Sequence, residues 1–339
     1  MGTRVLSKVQ YGKETAHGTA VAADTMLLCT ATLPEADRET KIPTVNMGVR
    51  SNKLLSAAYT AKILADGVTL ADADGAYYQL LPLLLSMGIK NITPAEQTPS
   101  QADYLWDAPA PQTAAESVDS VTLEVGDDTQ GYEVAYCLAR RLTISGDCES
   151  GECHVSADVF GDQIVQTTLT GALAVPSVEM INAKLSRLYI NDTWAALGNT
   201  ELASALVNWE LVMDLGVHPK FLGSASRKFT THGQAMIGAE LTLTLERIAG
   251  VATEELKYRP ASGYAVTPRF VRVEVTGNQI GSGEVSTLTM DLAGVWTSWQ
   301  PLGGDREGNT LDVVKLAAGY DITGAQAIRL AAITNVASI

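Results

Sequence analysis

Val207-Asn208-Trp209-Glu210-Leu211-Val212-Met213-Asp214-Leu215 is the stretch on which the fold is decided. Val207, Trp209, Leu211, Met213 and Leu215 are apolar at every second position, with Asn208, Glu210 and Asp214 between them. Successive side chains of a strand point to opposite faces, so this is a strand with one buried and one wet side. The limb further on repeats the alternation, with Leu241, Leu243 and Leu245 on one side and Glu240, Thr242, Thr244 and Glu246 on the other. The two limbs predict a long two-faced hairpin over residues 206–247. Residues 216–238 between them are too many for a tight turn and are locally basic, with His218, Lys220, Arg227, Lys228 and His232.

The same alternation recurs outward from this unit. Val121, Leu123 and Val125 carry it, as do Leu142 and Ile144, then Val155, Ala157 and Val159. Strands are also expected near residues 26–33, 54–68, 185–190, 271–275, 288–292, 313–317 and 328–333. Turn signals separate several of them, including Gly126-Asp127-Asp128, Gly146-Asp147 and Gly277-Asn278. Many short alternating strands with few helices imply a mainly β fold, an antiparallel sandwich or barrel. One main helix is predicted over residues 74–88, because Tyr77, Leu80, Leu81, Leu84 and Leu85 share one helical face. Asp74 suits its N-cap, Gly88 its C-terminal stop, and Pro82 predicts a kink or a late first turn. A shorter helical piece is expected at 253–258. Residues 1–24 read as an extended arm, 34–53 as a long mixed-charge loop and 93–116 as an exposed loop. Length allows either one large β domain or two modules, 1–176 and 177–339, divided near Pro176.

Acidic residues (38) outnumber basic ones (24), for a net charge of −14. That balance argues against a general nucleic-acid binder and against adsorption to an anionic membrane. The opening residues carry no apolar leader-like run, which points to synthesis in a cytoplasm. Catalytic signatures fail on inspection. Gly281-Ser282-Gly283 lacks the third glycine of a dinucleotide loop, and Asp72-Ala73-Asp74-Gly75 would place Leu70 and Leu81 at calcium-ligand positions. His17, His154, His218 and His232 share no ligand spacing, and Cys148, Cys153 and His154 lack a second pair of zinc ligands. Cys148 and Cys153 read as reduced thiols near a turn, since a disulfide there would close too short a loop to restrict the unfolded chain much. Trp194, Trp209, Trp296 and Trp299 could form a sugar platform, but core packing explains them better. No enzyme activity, cofactor or metal is expected.

The motifs in order resemble the tail tube (major tail) proteins of long-tailed, non-contractile bacteriophages. The resemblance runs from Tyr11-Gly12-Lys13-Glu14-Thr15 and Gly18-Thr19-Ala20-Val21-Ala22 through Val49-Arg50-Ser51 and Leu83-Leu84-Leu85-Ser86-Met87-Gly88. It continues in the hairpin over 142–161, in Trp209-Glu210-Leu211 and Asp214-Leu215-Gly216-Val217-His218-Pro219, and in Ile328-Arg329-Leu330. The resemblance implies a β-sandwich or barrel core flanked by a helix, and subunits closing into hexameric rings that stack into a virion tail conducting DNA. A two-module chain would close a pseudo-hexameric ring from three copies. The implied partners are further copies of the chain, a tape measure protein, and tail terminator and baseplate proteins, with viral DNA passing through unbound. On this reading Glu124, Glu210, Asp214, Glu240 and Glu246 are candidates for an acidic bore. Arg38, Lys41, Arg50, Lys53, Lys220, Arg227 and Lys228 are candidates for contacts between subunits or rings. The rival readings are another virion protein, such as a decoration or head–tail joining ring, and a carbohydrate-binding β-sandwich.

Overall fold

A computed structural model describes residues 6–46, 48, 50, 53–110, 114, 117–263 and 265–339. The chain is mainly β, and among the described residues seventeen strands form one continuous antiparallel system. Two strands are far longer than the rest, Gly131–Asp147 and Val285–Arg306, and the system branches at both. Residues 131–137 lie in a first layer with Thr25–Leu27, Lys8–Lys13, Val121–Gly126 and Ile164–Thr167. The register then shifts at Tyr136, whose φ is +57°, and residues 138–147 enter a second layer. That layer runs, strand by strand, Cys29–Thr32, Ala65–Asp72, Cys153–Gly161, residues 138–147, Leu206–Asp214, Gly238–Glu246, Asn309–Ala318 and the end of Val285–Arg306. The first half of Val285–Arg306 belongs instead to a third layer with Ser186–Asn191, Arg269–Gln279, Ile328–Thr334, Tyr104–Pro109 and Ala95–Glu96.

One apolar cluster draws residues from all three layers. Helix α1, Leu81–Gly88, packs against the long strand Gly131–Asp147 on one side and against Tyr104–Pro109 and Ile328–Thr334 on the other. All eight of its residues are buried, Leu83 and Met87 as well as the expected stripe. It is therefore a core element and not a flanking one, as a helix apolar on every side must be. It begins at Leu81 after a short 3-10 turn, Tyr78–Leu80, which puts Pro82 in the first turn where a missing N–H costs nothing. Asp74 is not its N-cap. Gly88 lies inside the helix, where a Cβ would overlap the Leu215 side chain, so the glycine serves close packing. The shorter helix α2 spans Ala249–Tyr258.

Two expectations are corrected. The arm over 1–24 is in part a sheet strand: Lys8–Lys13 sits between Thr25–Leu27 and Val121–Gly126, with Val9, Gln10 and Tyr11 buried; residues 1–5 lie outside the described ones. The loop over 93–116 contains Tyr104–Pro109, which pairs with Ile328–Thr334 and buries Trp106, whose indole N–H donates to the Val336 carbonyl at 2.8 Å. Of that loop, residues 111–113, 115 and 116 lie outside the described ones. The division near Pro176 marks no break in the sheet, because residues 141–147 pair with 208–214 and 104–109 with 329–334. The predicted central hairpin forms in register, Trp209 opposite Leu243 and Leu211 opposite Leu241.

Candidate functional site

The outer side of the second layer is a broad sheet face of short polar side chains and carboxylates. Its rows follow from the register. Asp158, Arg141 and Asp214 lie side by side, and the next row inward runs Ser156, Thr143, Val212, Glu240. The row after that runs His154, Ser145, Glu210, Thr242, Lys315. Glu246 stands further along, and its carboxylate accepts from the Asn309 amide at 2.7 Å. Four of the five candidate bore residues, Glu210, Asp214, Glu240 and Glu246, thus share this face. Their partners differ. Asp214 accepts from the Gly216 N–H at 3.0 Å and so also shapes the turn that leaves the sheet. Glu240 pairs with Lys315 at 2.7 Å, and that hydrogen bond raises the Lys315 pKa. Glu210 faces Thr242 and Ser145 across the strands and keeps the face negative.

Glu124 does not belong to this face. It is 3% exposed and points into the first layer. Its carboxylate accepts from the Gln10 amide at 2.7 Å, the Ala23 N–H at 3.0 Å, the Thr170 N–H at 2.7 Å and the Thr170 hydroxyl at 2.8 Å. The alternation around Val121, Leu123 and Val125 placed it on a wet side, but the segments at 20–24 and 168–172 close over that side. Burial alone would raise its pKa, yet these four donors win and hold it below the ordinary carboxylate value. A depressed carboxyl stabilises the fold above its unfolded pKa, and that contribution is lost as pH falls through the folded value. Glu124→Gln is expected to cost about 1.5–3 kcal/mol, the range for hydrogen bonds to a charged group. Urea unfolding at neutral pH measures the loss, and amide exchange is expected to rise first around Ala23 and Thr170.

The second candidate set lies in two hairpins that meet. One pairs Arg38–Lys41 with Tyr59–Ile63, and the other pairs Val217–Lys220 with Thr231–Gln234. The Ile63 N–H donates to the Arg227 carbonyl at 2.9 Å, and the Lys62 ammonium lies 5.6 Å from the centre of the Phe221 ring. Arg38, Lys41, Arg50, Lys53, Lys220 and Arg227 are exposed on this arm. Arg38 and Lys41 pair with their own neighbours Asp37 and Glu39 at 3.3 and 3.4 Å. Val49 and Ser51 lie outside the described residues. Lys228 is a correction: its ammonium is tied to Asp162 at 2.6 Å, so it docks the arm on its own subunit. Phe229 completes that docking, 5% exposed, with ring centroids 4.6 Å from Tyr136 and 5.6 Å from Phe160. His17 stacks on Tyr136, whose hydroxyl lies 3.2 Å from His232 Nδ1. No local pattern in the sequence marks this docking, because the histidines come from distant segments and share no spacing.

Trp209, Trp296 and Trp299 are buried, which leaves no four-tryptophan platform. The four cysteines are free thiols, and burial raises the pKa of each. Among the described residues, no group of three or more His, Cys, Asp or Glu is placed to hold a metal, and no helix is long and apolar enough to cross a membrane. No protein-family model matches the chain, and no characterised protein matches it significantly.

Proposed function

We propose that this chain is a structural subunit of a virion, self-assembling into stacked rings that form a tail tube, with the acidic sheet face toward the bore. The observation that supports the reading is the alignment of Glu210, Asp214, Glu240 and Glu246 on one open face of a broad sheet. Carboxylates on a channel wall repel phosphates, so DNA slides past without binding. The same chain carries a basic double-hairpin arm, which gives it two unlike charged surfaces. Rings that stack without limit need contacts of that head-to-tail kind. On this reading the further partners are a tape measure protein within the bore and terminator and baseplate proteins at its ends.

The test is sedimentation of the purified chain over a concentration series, with negative-stain images of the heavy fraction. Hollow stacked rings are expected, formed more readily at low salt because the contacts include opposite charges. Single rings that never stack would favour a joining or decoration role, and dispersed particles with affinity for oligosaccharides would favour the sugar-binding role.

A further inference from the structure

Trp194 is the one tryptophan of five that the core does not absorb. It opens a short 3-10 turn, Trp194–Ala196, just after the strand Ser186–Asn191 ends and beside the start of Arg269–Gln279. Its ring meets Phe270 edge to face, with centroids 6.4 Å apart. Gly324 closes in from the loop before Ile328–Thr334, where a Cβ would come within 2.7 Å of the Trp194 Cβ. The indole N–H donates to no group among the described residues, and unlike that of Trp296 it is open to solvent.

The ring forms one wall of a cavity of about 610 Å³, within the size range of small-ligand pockets. The polar part of the lining is already fixed in place. Asp192 is held by the Arg269 guanidinium, which Glu254 holds in turn at 2.7 Å. Asp321 accepts from the Gly324 N–H at 2.6 Å through one carboxylate oxygen. The second oxygen of each carboxylate has no partner among the described residues, and neither have the hydroxyls of Thr193, Thr267 and Thr323. Among the described residues, no Lys, Arg or His lines the cavity.

This lining selects a ligand. Carboxylates with no cation beside them in the cavity repel phosphates and other anions. A cation would gain from the ring, but Arg269 already balances Asp192, and an ammonium cannot accept from the free indole N–H. A neutral pyranose matches every feature. Its C–H face covers the indole, its hydroxyls donate to the open carboxylate oxygens, and its oxygens accept from threonine hydroxyls and the indole N–H.

We infer that the Trp194 cavity is a carbohydrate-binding site for a neutral hexopyranose unit, with Trp194 as the stacking surface and Asp192 and Asp321 as hydroxyl acceptors. The site belongs to the third layer, apart from the acidic face of the second, and does not depend on self-assembly. Arrayed in the stacked rings proposed above, many weak sites would act together on one glycan surface.

Saturation-transfer NMR of the full chain with glucose, galactose, mannose and N-acetylglucosamine provides the test, with choline as the cationic control. At least one sugar is expected to bind with a Kd of about 1 mM and to receive saturation on its ring C–H protons. Trp194→Ala is expected to weaken binding about tenfold or more. Thr323→Trp, a change at an exposed lining residue, is expected to block the cavity with thermal unfolding unchanged. No transfer to any of the four sugars at about 50 mM, well above that Kd, would overturn the site, as would binding unchanged in both variants. Binding of choline alone would overturn it in favour of a cation site. Sedimentation reads assembly separately, so failure of this site leaves the tube reading standing.

Discussion

Trp209→Ala is expected to destabilise the chain by about 3–5 kcal/mol, the usual cost of deleting a large buried aromatic side chain. Trp209 is 2% exposed in the middle of the second layer, and its indole N–H donates to the Ser186 hydroxyl at 3.0 Å. Its ring also lies over Gly146, where a Cβ would come within 2.5 Å of it. The glycine and the tryptophan are therefore one packing unit. Asn208, the adjacent residue, points to solvent, so Asn208→Ala is expected to change stability by less than about 0.5 kcal/mol. Urea denaturation of the two variants compares the buried and wet sides of one strand directly. Equal losses would mean that the two-faced reading of this strand is wrong.

Phe229→Ala is expected to release the basic arm, with a loss of about 3–5 kcal/mol if the arm and body unfold together and less if the arm opens alone. Phe229 is the apolar peg of the arm, set against Tyr136 and Phe160, while Lys228 beside it holds Asp162. Amide exchange is expected to rise at Val217–Lys220 and Thr231–Gln234 in this variant, with α1 still protected. A deletion that reaches Phe229, such as 223–233, therefore removes part of the core and is not a clean test of the free arm; Arg227 also joins the two hairpins through the Ile63 N–H, so a test of the free tip is confined to 223–226. Mild acid is expected to act in the same direction. Burial lowers the His232 pKa below its ordinary value of 6.5, helped by the neighbouring His17, Lys220 and His218. Neutral His232 belongs to the docked state, so its contribution is complete above the unfolded pKa and is lost as pH falls toward the lower folded value. Exchange at the arm that is unchanged by either perturbation would show that docking depends on other contacts.

The fold was legible where one side of a strand meets the core and the other meets water. Leu206–Asp214 and Gly238–Glu246 announce themselves by alternation, and so do Cys153–Gly161 and Arg269–Gln279. The signal fades where both sides are covered. Lys8–Lys13 reads as a polar arm because Gln10 and its neighbours face a buried carboxylate, not solvent. Tyr104–Pro109 is short and lies among Pro, Ala and Gln, so its pairing with Ile328–Thr334 carries no local mark. Helix α1 shows an apolar stripe, but full burial on every side depends on the layer arrangement, which the stripe does not encode. The same limit explains the candidate site. Glu210, Asp214, Glu240 and Glu246 could be placed together because their strands are neighbours along the central unit. Glu124 has the same alternating context and the opposite fate, decided by the distant residues Ala23 and Thr170. Lys228 likewise reads as a free loop charge until Asp162, far off in sequence, is found beside it.

The most direct measurement is an electron cryomicroscopy map of assembled protein at a resolution that distinguishes the strands. A hollow tube is expected whose inner wall is the face bearing Glu210, Asp214 and Glu240, with the double-hairpin arm reaching a neighbouring copy. A tube with that face on its outer surface or sealed between subunits would contradict it, as would particles that remain single at every concentration.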